Sequence, residues 1–345
     1  MPDTKLTILM CTYNGSRTIV EALRSIAEQV NTLKEVVEII IVDNASSDDT
    51  SKLVLDSISK FKLNARLLFE PQPGKINAFL RGVNEAKGKL ISVIDDDTFI
   101  EPQFINNTLK IFEKYPNVGM VGSPNEVLIE ETIPHWFEWV KQKYACAKPY
   151  FLGDTTIQKD NTIIGQLALI AGGGSTFLVE PLKSCLSEGY IFFNDTQRGT
   201  KMSVTCEDFE LCWLIYSLGY DFAYNPSIRL RHAIDPNRLN LKYLRTLCKT
   251  IGAGMLGTDP FASFAKSKKQ KSSIKYTWQW KLLGKLKAYI LPGYRCNSQE
   301  EQLFINWISR IENAGAIRRI IAERKNYTRH IRQVVCGKWT KLRVR

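Results

Sequence analysis

Three consecutive carboxylates, Asp95-Asp96-Asp97, close the mostly apolar segment LISVI at positions 90–94. Carboxylate oxygens are hard ligands that suit Mg²⁺ or Mn²⁺, and a divalent ion held there could neutralise the charge that grows on a diphosphate leaving group. Side chains alternate along a strand, so Asp95 and Asp97 are expected to face one way and Asp96 the other, unless the chain turns. An isolated triplet of this kind is more often a solvated acidic loop or a helix cap ahead of Pro102. An EF-hand is excluded, because its glycine is missing and the ligand spacing is wrong. A second pair, Glu207-Asp208, opens an apolar-periodic segment. A carboxylate there could be the general base for a hydroxyl, although acids at a helix start also simply complement the macrodipole. His232, one of three histidines, could complete a metal's coordination as a neutral imidazole. Lys75, after Gly74, could counter phosphate charge. Taken singly, a lone histidine is more often structural, and a surface lysine needs no function.

The elements that would position these groups alternate between strand and helix. Residues 6–10 (LTILM), 37–42 (VEIIIV), 66–69 and 90–94 read as short buried strands. Between them, Ser16 can cap a helix with Ile19, Ala22, Leu23 and Ile26 on one face, and Ser46 or Ser47 can cap one carrying Leu53, Val54, Ile58 and Phe61. Residues 76–87 form a third helix stopped by Gly88. This alternation implies right-handed βαβ units and a mainly parallel sheet, in which ligands sit beyond the carboxyl ends of the strands. Polar clusters fall at those ends: Thr12-Tyr13-Asn14, Asp43-Asn44, Pro73-Gly74-Lys75 and the aspartates. Further on, Gly172-Gly173-Gly174 precedes a strand at 175–179, and Glu207-Asp208 heads a helix with Leu211, Leu214, Ile215 and Leu218 inward and Gly219 as its stop. A strand at 228–230 leads to His232. Beyond residue 236 the chain turns basic and helical, with Lys266, Lys268, Lys269 and Lys271 in a linker. In residues 278–291, Trp278, Trp280, Leu282, Leu283, Leu286 and Ile290 interleave with Lys281, Lys285 and Lys287.

The bulk numbers set the frame. With 345 residues, 24% charged and 44% hydrophobic, the composition is that of a globular protein. Lys and Arg exceed Asp and Glu by 12 (47 against 35), which suits anionic partners such as nucleotide phosphates, lipid surfaces or nucleic acid. The eight cysteines form no C-x-x-C pair, so neither a zinc site nor a redox dithiol is expected. The start, MPDTKLTILMCTYN, lacks a basic segment followed by a long apolar core, so no signal peptide is expected, and a cytoplasmic setting with reduced thiols follows. The uncharged stretch at 161–179 contains Gln166 and three glycines and is a poor membrane span.

In their order and context these pieces resemble the family 2 glycosyltransferases of GT-A fold. C-T-Y-N at 11–14 is similar to the family's opening P-T-Y-N, with Cys11 for proline, and I-I-I-V-D-N-A-S-S-D-D-T at 39–50 is similar to its strand, acid and Ser-x-Asp-x-Thr turn. P-G-K at 73–75, with Ala78 and Gly82 behind it, resembles G-K-x-x-A-x-N-x-G, with Leu80 in place of the asparagine. A-K-G-K-L-I-S-V-I-D-D-D at 86–97 resembles the strand leading to the metal-binding D-x-D, and C-E-D-F-E-L at 206–211 resembles G-E-D-x-E-L, with Cys206 for glycine. The resemblance covers about residues 1–235.

It implies a GT-A-like α/β fold, a mainly parallel twisted sheet flanked by helices with a mostly helical C-terminal appendage. Residues 1–122 would be the nucleotide-sugar half, 123–235 the acceptor and catalytic-base half, and 236–345 a basic helical region. It also implies inverting transfer of a sugar from a nucleotide-diphosphate donor, with a UDP-sugar expected, to a glycan or lipid-linked acceptor in cell-surface polysaccharide or glycolipid synthesis. Thr12, Tyr13, Asn14 and Asp43 would serve the nucleoside side and Lys75 the donor. Asp95 and Asp97 would hold Mn²⁺ or Mg²⁺ with His232, Asp96 would contact ribose or sugar, and Asp208 would be the base. Reading the D-x-D from Asp96 shifts these roles by one. No Q-x-x-R-W follows Asp208, against a processive synthase. Two alternatives stand beside this reading. One is a sugar-nucleotide nucleotidyltransferase, although C-T-Y-N-G-S-R is not its glycine-rich loop. The other is a basic binder of nucleic acid or anionic surfaces, with 278–291 lying peripherally on the inner face of a plasma membrane or packing as a core helix with a solvated lysine face. Specific nucleic-acid recognition is not expected.

Overall fold

Residue alternation in the first two strands decides how the core divides. The computed structural model describes residues 5–30, 37–194, 204–266, 277–294, 296 and 298–343. The first half runs β1 (Leu6–Thr12), α1 (Ile19–Val30), β2 (Val37–Asp43), α2 (Thr50–Phe61), β3 (Ala65–Phe69), α3 (Lys75–Glu85) and β4 (Leu90–Val93). Ile8, Met10, Ile39 and Ile41 point to one face, where Ile19, Leu23 and Ile26 of α1 cover them. Leu9, Ile40 and Val42 point to the other, beneath Ile76, Ala78 and Phe79 of α3. Strands buried on both faces are what parallel βαβ winding requires, and β3-β2-β1-β4 pair in parallel. In that register Thr12 lies opposite Asp43, so both stand at the carboxyl rim.

The chain continues through β5 (Thr98–Ile100), α4 (Phe104–Lys114), β6 (Val118–Gly122), β7 (Asn125–Leu128), α5 (Phe137–Val140), β8 (Tyr150–Phe151), β9 (Thr155–Ile157), β10 (Ile163–Gly165), β11 (Ala168–Leu169) and β12 (Ser175–Leu178). Next come α6 (Val179–Ser187), α7 (Glu207–Ser217), β13 (Asp221–Tyr224) and β14 (Leu230–Ala233). Among the described residues, nine strands form the main sheet in the order β3-β2-β1-β4-β12-β6-β13-β10-β9. Its N-terminal half is parallel as expected, whereas β12 runs antiparallel between β4 and β6, which makes the whole sheet mixed. A small sheet, β5-β14-β7, stands beside the rim.

The helical C-terminal region comprises α8 (Leu241–Gly254), α9 (Asp259–Lys266), α10 (Trp278–Ile290), α11 (Gln299–Ala322) and α12 (Arg324–Cys336). It builds clusters of its own around Leu244, Cys248, Ile308 and Ile311 and around Leu256, Ile320 and Tyr327. Val334 and Trp339 join the main core beside Tyr190 and Phe261.

Several local expectations change. The helix expected at 76–87 ends at Glu85. Gly88 instead lets the chain pass β1 closely, since a Cβ there would lie 2.5 Å from the Thr7 amide nitrogen. Ser16 does not cap α1; the Gly15 carbonyl accepts from Thr18 and Ile19. Ser46 and Ser47 do not cap α2, whose N-cap position is Asp49. His232 lies within β14 rather than after it. Lys266 ends α9, while Lys268, Lys269 and Lys271 lie outside the described residues.

Candidate active site

The three aspartates face one cleft because the chain turns directly after β4. The Thr98 amide and hydroxyl both donate to the Asp95 carbonyl, at 3.1 and 2.9 Å. Strand alternation therefore stops at Ile94, and Asp95, Asp96 and Asp97 all line a cleft of about 810 Å³. Each takes a different partner. Asp95 pairs with Lys75 at 3.0 Å, Asp96 accepts from the Thr12 hydroxyl, and Asp97 lies 3.4 Å from His232 Nε2 and 3.6 Å from Arg238. The last pairing follows from the small sheet, where β14 sets His232 opposite Thr98 and the Ala233 amide donates to the Asp97 carbonyl. Burial opposes charge on Asp97, but His232, then Arg238, hold its carboxyl below the usual range. Burial likewise opposes charge on His232, yet Asp97 and the Cys146 sulfur, 3.6 Å from Nδ1, push it up to about 10.

The second carboxylate pair meets this cluster through Lys75, the first residue of α3. Its Nζ lies 4.0 Å from Glu207 as well as 3.0 Å from Asp95. Burial acts against the lysine's charge, but Asp95, Glu207 and Asp208 hold its pKa above the ordinary value. Asp208, in the first turn of α7, accepts from the Gly172 and Phe209 amides, both at 2.8 Å. Burial and then neighbouring Glu207 push its carboxyl up to about 7, against Lys75 and the two amides. One Glu207 oxygen is buried with no hydrogen-bond partner among the described residues. Cys206, just ahead, is left-handed at φ 78°, a conformation that favours glycine, which is what the resembling motif carries there.

The nucleoside-side residues divide. Tyr13 and Asn14 line the cleft. The Asn14 amide donates to Ser46 Oγ, and its side-chain oxygen accepts from the Ser47 amide, which is the work those serines do in place of capping. Thr12 and Asp43 are each 2% exposed. Asp43 accepts from the Ser46 amide and the Ser51 hydroxyl, so it organises the turn behind the cleft. The sequence reading overlooked three groups: Arg238 beside Asp97, Arg17 paired with Asp235 at 2.6 Å across the cleft mouth, and Cys146 behind His232. Arg17 lies three residues beyond Asn14 and Arg238 six beyond His232, so nearness to the motifs was an available signal for both. Cys146, 86 residues from its partner, offered none.

Among the described residues, no three His, Cys, Asp or Glu side chains already converge as a metal cage. The two carboxylates fit Mg²⁺ or Mn²⁺ nonetheless, since such ions keep waters and substrate phosphates beside one or two carboxylates, and Asp95 and Asp97 share one cleft with His232, whose ring would ligate only on giving up the proton that Asp97 and Cys146 favour.

The sequence model described as Glycosyl transferase family 2 matches residues 7–185, from the start of β1 into α6. The chain belongs to that family. Among curated relatives of this family 2 chain, poly-β-1,6-N-acetyl-D-glucosamine synthase of Staphylococcus epidermidis is 25% identical over 224 residues, 64% of this chain and 48% of the relative. The Staphylococcus aureus enzyme of the same name is 26% identical with the same coverage. The chain thus spans about half the length of the curated relatives it matches. Among solved structures, a mannosyltransferase from Pyrobaculum calidifontis, in complex with GDP-Man and Mn²⁺, matches with a TM-score of 0.57 at 15% identity over 92% of this chain and 88% of that one. GalNAc-T7 with UDP, GalNAc and Mn²⁺ matches with a TM-score of 0.52 at 15% identity over 77% and 52%. These likenesses show the GT-A fold, and the family shows a glycosyltransferase.

One glycine of the family 2 domain is tested by its surroundings. A Cβ on Gly15 would lie 2.2 Å from Asp96 Oδ2 and 2.5 Å from Thr12 Oγ1. Gly15→Ala is expected to push Asp96 off Thr12, raising the donor KM about tenfold or more while costing only about 1–2 kcal/mol of stability, because a side-chain end gives way rather than backbone. Donor titration beside thermal melting checks this; an unchanged KM would remove Asp96 from donor binding.

Proposed function

We propose that the chain transfers a sugar from a nucleotide-diphosphate donor, a UDP-sugar in the first instance, to an acceptor hydroxyl with inversion, in the assembly of a cell-surface polysaccharide or glycolipid. The observation that carries this reading is Lys75, which bridges the aspartate cluster and the Glu207-Asp208 pair within 4.0 Å on either side. A direct displacement needs leaving-group stabilisation and a base in one cleft, and these are the two halves that Lys75 joins. Asp208 takes the proton of the acceptor hydroxyl, and its raised pKa keeps it basic enough for that task near neutrality. Lys75 meets the diphosphate charge. The orphaned Glu207 oxygen suits a hydroxyl donor on one of the sugars. Asp97, His232 and Asp95 would hold a divalent ion, which when bound supplies Lewis-acid neutralisation of the leaving diphosphate. Asp96, fixed by Thr12, and Tyr13 with Asn14 orient the nucleotide.

Turnover of a panel of sugar nucleotides, with and without Mn²⁺, tests the donor side. Release of nucleoside diphosphate is expected only with the divalent ion, and Asp97→Asn is expected to lower activity about 10²-fold or more. Full activity in chelator would refute the metal role. Pyrophosphate release from a nucleoside triphosphate and a sugar phosphate would replace the reading with nucleotidyl transfer.

A further inference from the structure

Charge is divided unevenly along this chain. Residues 236–345 hold 24 Lys and Arg against five Asp and Glu, while residues 1–235 hold 23 against 30. Within the basic region, α10 stands out: eight of its 13 residues are apolar, yet none is buried. Its inner side is accounted for. Trp278 and Leu282 rest on the cluster of Leu256, Ile320 and Tyr327, and Lys281 and Lys285 turn to Asp259 at 4.0 and 3.7 Å. The outer side is not. Leu283, Ile290 and Leu291 are 61, 65 and 69% exposed and Trp280 is 49% exposed. At the helical pitch, Trp280, Leu283, Lys287 and Ile290 fall within about 80° of one another. Beside them an apolar groove of about 560 Å³ runs between α10 and α11, lined by Leu286, Tyr289, Ile317 and Ile321, with Arg318 on its wall. A helix that packs on a core normally turns its polar side to water. Here the packed side carries the paired lysines beside Trp278 and Leu282, and the outer side carries aliphatic residues where a core helix would show a solvated lysine face.

We propose that this face docks on an anionic lipid bilayer. Trp280, Leu283, Ile290 and Leu291 enter the boundary between headgroups and acyl chains, and Lys287 and Arg318 meet the headgroup phosphates. Aliphatic side chains flanked by cations are the pattern of a helix that lies in the interface. The charge excess spread over 110 residues supplies the broad attraction that an anionic surface rewards. A nucleic acid would use the cations but gains nothing from exposed leucine and isoleucine. No helix among the described residues is long and apolar enough to cross a membrane. This docking stands independently of the transfer chemistry proposed above.

Flotation of the full chain with phosphatidylcholine vesicles, with and without about 30 mol% phosphatidylglycerol, tests it. The bound fraction is expected to fall about tenfold without the anionic lipid, and again for Leu283→Glu/Ile290→Glu and for Lys287→Glu/Arg318→Glu. Both double variants are expected to melt and turn over donor like the wild type, because these positions are exposed and none lines the cleft. Equal binding to pure phosphatidylcholine would overturn the proposal. So would undiminished flotation of Leu283→Glu/Ile290→Glu, or displacement of the wild type by poly-uridylate with that variant binding the RNA equally, which would mark a polyanion site instead.

Discussion

Asp208→Asn is expected to lower kcat about 10²- to 10⁴-fold and, at pH 8, to leave the protein more stable than the wild type. Both results follow from one property. Burial and Glu207 raise the Asp208 pKa from its ordinary 3.8 to about 7. Between those values the folded state holds a proton that the unfolded chain has lost, so stability falls as pH rises through the window. Above pH 7 the wild type carries a charged, half-buried carboxylate that asparagine does not. The gain is about 1 kcal/mol once solvent screening and the loss of one amide contact are allowed for. Below about pH 4 a protonated Asp208 resembles asparagine, and the two melting curves should converge. The kinetic sign runs the other way: the wild-type kcat should climb with pH through about 7 as the base deprotonates, and Glu207→Gln should move that limb to lower pH by removing the like charge. Melting below about pH 4 and at about pH 8 beside a pH–rate profile checks both. An Asp208→Asn protein that stays active, or loses activity only because it unfolds, would remove the base from the mechanism.

The parallel half of the fold was legible because β1, β2 and β4 are mostly apolar, buried on both faces and run on into polar residues. The antiparallel insertion of β12 was not, because β12 reads as any short strand and its neighbours β4 and β6 lie more than 50 residues upstream. At the site, Asp95 and Asp97 were expected on one side of a strand and Asp96 on the other. The turn at Thr98 rests on two hydrogen bonds to one carbonyl, which side-chain periodicity does not report. Asp43 was expected at the nucleoside; in the structure its carboxylate accepts from Ser46 and Ser51. Its strand-end position was readable; its orientation depended on a turn of polar residues with several hydrogen-bonding options. The Cys146–His232 and Arg238–Asp97 contacts join segments that only the folded small sheet brings together.

Arg319→Ala is expected to cost about 3–5 kcal/mol and to slow turnover without changing donor affinity. Arg319, on α11, is 2% exposed. Its guanidinium donates to Asn194 Oδ1, the Ala253 carbonyl and the Phe193 carbonyl at 2.7, 3.0 and 2.8 Å, and lies 3.9 Å from the Phe193 ring centroid. Removing it strands two buried acceptors and a part-buried one at once. Asn194 passes the effect on: its amide nitrogen donates to the carbonyls of Cys206 and Gly254. Cys206 holds a left-handed backbone immediately before Glu207 and Asp208, and such a conformation persists only where its surroundings enforce it. Beside direct contacts such as Trp213 on Phe261 and Cys206 Sγ on the Ile251 carbonyl, the helical C-terminal region therefore reaches the start of α7 through these two side chains. The proposed donor side, on β1, α3 and β4, shares neither. At a temperature where Arg319→Ala is still folded, kcat should fall about tenfold at constant donor KM, and Arg319→Lys, which keeps the charge but not the planar fork, should lie between. Melting and steady-state kinetics on the same samples decide it: lower stability with an unchanged kcat would make Arg319 a staple of the fold and disconnect the C-terminal helices from Asp208.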